Sequence, residues 1–287
     1  MSELYEFHQH PGFDAPPIIL GLEGWIDAGM AASGAMAALL ANHDTELVAT
    51  FDTDLLLDHR ARRPTMRLID GVVEDLRWPS LELRSARDLD GAGMLLLTGA
   101  EPDHQWQSFT DAVESLALEL GSSMVVGLGA YPAPAPHTRP VVLSCTASTP
   151  ELAERLSFAR GSLEVPAGVQ AVIEQRAHAA GIPAVGMWAQ VPHYAAAMPY
   201  PGASLALLEG LHDLVGLNLE MGTLPAETVS TRDRINELIS GNEEHAAMVS
   251  ALEVQVDSMV QAEPLPSGDE LAAELERFLR DQPPPDQ

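Results

Sequence analysis

The sequence predicts an α/β protein, a mixed or largely parallel sheet flanked by helices, followed by a helical extension. Three observations carry this. Residues 94–98 and 124–128 are short, uninterrupted apolar runs, as expected of strands covered on both faces. Residues 106–120 lie between them with Phe109, Val113, Leu116 and Leu120 at helical spacing. From about residue 223 the chain loses strand-like runs and keeps only helical periodicity.

Taken in order, 17–22 reads as a buried strand and 28–40 as an Ala-rich helix, with Asp27 placed to cap it. A second strand follows at 47–51, then the strand–helix–strand unit of 94–128. Residues 141–145 read as a strand, 169–180 as a helix, 184–189 as a strand and 205–217 as a helix. This divides the chain into a core of residues 1–222 and an extension of 223–287. In the extension, 232–261 reads as one long helix, its apolar seam interrupted by Asn242 and His245. Pro264, Pro266 and Gly268 turn the chain into a second helix over 269–280, and 283–287 reads as a frayed tail.

Composition excludes several classes of function. Of 287 residues, 46% are hydrophobic, which fits a folded protein with one large core. No apolar run reaches the length of a membrane span, and residues 1–12 lack a basic start and an apolar signal core. A cytoplasmic protein is expected. Fifteen basic residues against 42 acidic ones give a net charge of −27, which disfavours nucleic-acid and membrane-surface partners. All fifteen are arginines. Without lysine there is no amine for Schiff-base chemistry or pyridoxal phosphate, and no phosphate-loop lysine. The lone Cys145 sits in an apolar stretch and reads as a structural thiol. No cofactor and no metal site are expected, since the ten histidines are scattered.

Polar residues collect in the loops. In 21–29 the glycines allow a tight turn, and Asp27 serves either as a cap or as part of a ligand loop. The segment 54–64 holds Asp58, His59, Arg60 and Arg63, which suit a phosphate or carboxylate; a solvated loop held by Asp–Arg pairs is the structural alternative. Glu101, Asp103 and His104, then His137 and Arg139, then His193 and Tyr194, follow three strands in turn. Parallel strands would bring them to one sheet edge as an acid–base set. The Gly-x-Gly at 127–129 has Pro132 where a dinucleotide fingerprint needs its third glycine. Ser204, in Gly-Ala-Ser-Leu-Ala, departs from a nucleophile elbow and reads as a helix cap. No catalytic motif is complete.

Several of these segments together resemble the proteasome assembly chaperone family, second type, in its actinobacterial branch. The resemblance rests on Gly-Trp-Ile-Asp-Ala-Gly at 24–29, Asp-His-Arg-Ala-Arg-Arg-Pro at 58–64 and Gly-Ala-Glu-Pro-Asp at 99–103. It continues in Pro-His-Thr-Arg-Pro at 136–140, Val-Pro-Ala-Gly-Val-Gln at 165–170, Val-Pro-His-Tyr at 191–194 and Pro-Tyr-Pro-Gly-Ala-Ser at 199–204, and in Asn242, Glu243, Glu244, Leu252 and Glu253. It implies a three-layer, phosphorylase/hydrolase-like α/β sandwich with a C-terminal helical extension, and a homo-oligomer, with a trimer as first guess. It also implies a non-enzymatic binding or assembly protein with proteasome subunits as clients. The ATP-grasp chemistry ascribed to some such proteins does not suit a chain without lysine. The sequence ends Pro-Pro-Pro-Asp-Gln rather than in the hydrophobic–tyrosine–any tail of chaperone relatives, so docking by that route is not expected. Two alternatives remain. One is a hydrolase or phosphorylase acting on a nucleoside or an amide, with Glu101, His137, Arg139 and His193 as catalytic candidates. The other is a scaffold that self-associates through the C-terminal helices.

Overall fold

The computed structural model describes residues 4–24, 26–155 and 164–261. Among these residues ten strands run in chain order as β1 (Tyr5–Phe7), β2 (Ile18–Glu23), β3 (Thr45–Phe51), β4 (Thr65–Ile69), β5 (Val72–Arg77), β6 (Leu81–Arg87), β7 (Gly93–Ala100), β8 (Val125–Ala133), β9 (Leu143–Ala147) and β10 (Ala184–Pro192). The helices are α1 (Ala31–Asn42), α2 (Thr53–Leu56), α3 (Trp106–Glu119), α4 (Pro150–Arg155), α5 (Val169–Ala179), α6 (Pro201–Val215), α7 (Leu224–Ser240) and α8 (Glu243–Gln261). Eight strands form one mixed sheet in the order β1-β3-β6-β7-β2-β8-β10-β9. Its central strands, β7-β2-β8-β10, are parallel; β1, β3 and β6 flank them antiparallel on one side and β9 on the other.

The sheet divides the core in two. Ile19, Leu96, Val126, Leu128, Val185 and Met187 point to one face and pack with α1 and α6. Ile18, Leu20, Leu95, Leu97 and Val125 point to the other and pack with α3 and α5. Alternation along each strand therefore loads both faces with aliphatic side chains. This is why the central strands read as continuous apolar runs. Each fully buried Leu or Ile contributes roughly 1.5–3 kcal/mol of transfer free energy. The result is the expected three-layer α/β sandwich.

Several boundaries depart from the sequence pattern. The strand expected at 141–145 lies at Leu143–Ala147. The helix expected from 205 begins at Pro201, where proline at the first helical position has no amide to satisfy. Ser204 is therefore not a cap: it lies inside the first turn of α6, buried against the backbone of Gly34 in α1. The single helix expected over 232–261 is two helices that break at Gly241 and Asn242. Asn242 ends the seam because its Oδ1 accepts hydrogen bonds from the Glu244 and His245 amides, at 2.9 and 3.2 Å, and so caps α8. The helix expected over 269–280 lies outside the described residues. Cys145 is a half-buried free thiol packed against the core, and burial pushes its pKa up.

Strands β4 and β5 form a hairpin sheet of their own. Its turn is Asp70–Gly71, with φ of 49° and 83°; this left-handed pair is one that Asp-Gly adopts readily and that matches the twist of a tight hairpin.

Candidate functional site

The C-terminal ends of the parallel strands and the segment after β3 carry the loops singled out in the sequence, and each loop is stitched to a neighbour. The loop after β2 leads to Asp27, whose backbone bridges to Ala130 of β8. Its carboxylate accepts from the Ala32 amide at 2.7 Å, the Ser33 amide at 3.0 Å and the Ser33 hydroxyl at 2.6 Å. The cap thus acts from three residues before the helix position itself, because Met30 takes up a left-handed conformation. Gly29, also left-handed, allows the β10–α6 connection to pass close by: a Cβ there would lie 2.7 Å from that of Tyr200.

The loop at 54–64 is tied to the start of α3. Asp103 accepts from the Asp58 amide at 2.8 Å and from Arg62 Nη1 at 2.7 Å. The Asp58 carboxylate turns back on the Arg60 amide, and His59 Nε2 lies 2.9 Å from Asp54 Oδ1. The side chains of Arg60 and Arg63 are exposed. Glu101, at the end of β7, accepts from the Val169 amide at 2.6 Å and so caps α5 on the other side of the sheet from α1 and α6.

The densest constellation lies after β8 and β10. His137 is 4% exposed and both of its ring nitrogens are engaged. Its Nδ1 is 2.8 Å from the Tyr194 hydroxyl, which also accepts from the His137 amide at 2.9 Å. Its Nε2 is 2.9 Å from Asn236 Oδ1 on α7. These contacts fit one proton pattern: the phenol accepts from the amide and donates to Nδ1, and Nε2–H donates to the asparagine. Arg139 Nε and Nη2 donate to Asp257 on α8 at 2.8 and 2.7 Å, a bidentate fork, and Nη1 reaches Glu253 at 3.3 Å. The Thr138 hydroxyl donates to the same Glu253. Arginine holds the Asp257 carboxyl below its ordinary range, and the Arg139 guanidinium is raised in turn. Burial pushes the Tyr194 phenol up and, with Tyr194 nearby, pushes Tyr200 up to about 12.

Chemically this is a clamp. Two adjacent stretches of the core, Pro136–Arg139 and the turn at Tyr194, hold α7 through an asparagine and α8 through two carboxylates. A cavity of about 310 Å³ lies beside it, lined in part by His137, Arg139, Tyr200, Glu209 and Arg232. The structure brings His137, Arg139 and Tyr194 close together in two neighbouring groups, His137 with Tyr194 and Asn236, and Arg139 with Thr138, Glu253 and Asp257. His193 is exposed, with its ring against Tyr194, and Glu101 is engaged with α5 instead. Asn236 and Asp257 escaped sequence reading. A signal for Asp257 existed, since Glu253 and Asp257 stand four apart and so share a helix face. Among the described residues no group of three or more His, Cys, Asp or Glu is placed to hold a metal ion. No helix among them is long and apolar enough to cross a membrane.

A mixed α/β sandwich whose strand-end loops grip a pair of C-terminal helices defines a class to which known proteins can be compared. Residues 21–239 match the PAC2 family, and the chain belongs to it. It is similar to a Mycobacterium tuberculosis protein of unknown function, Rv2714, at 35% identity over 91% of this chain and 93% of that one, with a TM-score of 0.85. It is also similar to the M. tuberculosis proteasome-assembly chaperone homologue Rv2125, at 34% identity over 81% and 99% of the two chains, TM-score 0.75. A PAC2 family protein from Streptomyces avermitilis matches at 35% identity over 82% and 99%, TM-score 0.72. No curated protein matches the chain.

Proposed function

We propose that this protein is a non-enzymatic binding and assembly protein with proteasome subunits as its clients. One observation carries the reading: His137, Thr138, Arg139 and Tyr194 of the strand-end motifs are spent on one another and on α7 and α8. Both nitrogens of His137 are occupied by Tyr194 and Asn236, and the guanidinium of Arg139 is engaged by Asp257 and Glu253. An acid–base catalyst needs a group free to exchange a proton with substrate. This arrangement instead fixes the position of two helices, which suits a protein whose product is an interface. The similarity to a structure described as a proteasome-assembly chaperone homologue supports the choice of client.

The test is capture of the tagged protein from its native cell extract at low salt, with co-purifying proteins identified by mass spectrometry. Unprocessed proteasome subunits recovered in stoichiometric amount support the reading. Recovery of the protein alone, at a loading where a tagged proteasome subunit does capture its own partners, removes it.

A further inference from the structure

The 310 Å³ cavity beside the clamp is walled by the 137–141 segment, α6 and α7, and two buried hydroxyls reach it without a bond inside the fold. We propose that it binds a small aliphatic carboxylic acid as its anion. Tyr200 is 6% exposed, yet its hydroxyl has no hydrogen-bond partner among the described residues. Two glycines fix the direction of its ring. A Cβ on Gly29 would lie 2.7 Å from the Cβ of Tyr200, whereas one on Gly202 would lie 3.7 and 3.9 Å from its Cε1 and Cζ. Gly202 lines the cavity and Gly29 does not, so the ring presents its phenol end there.

Thr231 on α7 is 9% exposed and lines the same cavity. Thr228, one turn earlier, returns its hydroxyl to the Leu224 carbonyl at 2.8 Å, whereas the Thr231 hydroxyl has no partner among the described residues. Buried polar groups are normally paired, and only the cavity can offer these two a partner. Burial, and after it Tyr194, push the Tyr200 phenol up to about 12 against the pull of Arg232, so at neutral pH its hydroxyl can donate.

Arg232 supplies the charge. It lines the cavity, and its one ion pair among the described residues is a 3.9 Å contact with the adjacent Asp233, both side chains being more than half exposed. Such a contact contributes little. Arg139, the other arginine of the lining, is already matched by Asp257 and Glu253. Two hydroxyl donors beside one guanidinium suit one carboxylate. A dianion is disfavoured, because Glu209 also lines the cavity and Glu253 and Asp257 stand behind Arg139. Leu205, Ala206 and Val141 cover the rest of the wall and suit an aliphatic body. Bound there, the acid joins Tyr200 to α7, the helix that His137 already holds through Asn236. The inference stands apart from the choice of client, and its test uses the pure protein.

The experiment is calorimetric titration of the full chain with acetate, butyrate and isocaproate, and with isocaproamide as the uncharged control. Binding is expected to saturate at one site per chain, with affinity rising about fourfold per added methylene. Isocaproamide should bind at least roughly tenfold more weakly than the acid, and Tyr200→Phe and Arg232→Gln should each weaken isocaproate by roughly tenfold or more. Isocaproate should also slow amide exchange in α7 of the wild type. Without ligand, Tyr200→Phe should melt at or above the wild-type temperature, because the hydroxyl leaves no protein partner behind. A lower midpoint would show the hydroxyl bonded within the fold and overturn the inference. No saturable binding, equal binding of acid and amide, or an affinity unchanged in either variant overturns it as well.

Discussion

Tyr194→Phe removes one oxygen and tests the clamp at its contact with the buried His137. The Tyr194 hydroxyl accepts from the His137 amide and faces His137 Nδ1, and the histidine is 4% exposed, so water cannot easily replace what is lost. Leaving one buried donor without a partner costs about 1–3 kcal/mol, and the ring loses one of its two anchors as well. The expected loss is about 2 kcal/mol, or roughly 4–8 °C in midpoint for a chain of this size. The bond from Nε2 to Asn236 then holds the ring alone, so the loss should also appear locally, as faster amide exchange in α7. Urea unfolding and hydrogen exchange read the two effects. A loss below about 0.5 kcal/mol, or faster exchange in α3 with α7 unchanged, would refute the account of the clamp.

Other consequences follow from single groups. Glu174 on α5 is pushed up to about 7 by burial, against which bonds from Gln170 and Thr146 act. A carboxyl raised on folding keeps its proton where the unfolded chain has lost it. Its contribution is therefore full below about pH 4.5 and is lost as pH rises to about 7, by up to about 3 kcal/mol at 1.36 kcal/mol per pH unit. Stability measured from pH 4.5 to 8 in wild type and in Glu174→Gln should diverge with rising pH in favour of the variant; parallel curves would show that the carboxyl titrates normally. Asn242→Ala should cost about 1 kcal/mol by removing the cap of α8 and should raise exchange at Glu244 and His245. Unchanged exchange there would show the two helices to be held apart by other means.

The parallel core was legible because its strands are buried on both faces, so Met94, Leu95, Leu96 and Leu97 form a run that burial alone explains. The hairpin and β6 were harder. Met66, Leu68 and Leu76 are exposed, and in β6 apolar and polar residues alternate in a chain segment dense with charge. The Asp-Gly turn at 70–71 was the available signal. Asn242 was noticed as an interruption of the seam, yet only its hydrogen bonds show that it starts a second helix. Of the strand-end residues, the grouping of His137, Arg139 and Tyr194 depends on where α7 and α8 return, since Asn236 lies 99 residues and Asp257 118 residues from their partners. Contacts at such separation leave no local pattern, and α5 draws Glu101 away by a capping bond that likewise spans distant segments.

The most direct test of the central claim is sedimentation velocity of the purified protein mixed with unprocessed α- and β-type proteasome subunits from the same source at low salt. The account predicts a new, faster boundary containing both proteins and a higher yield of assembled core particle than the subunits reach alone. Independent sedimentation of the two components, with assembly unchanged, would contradict it.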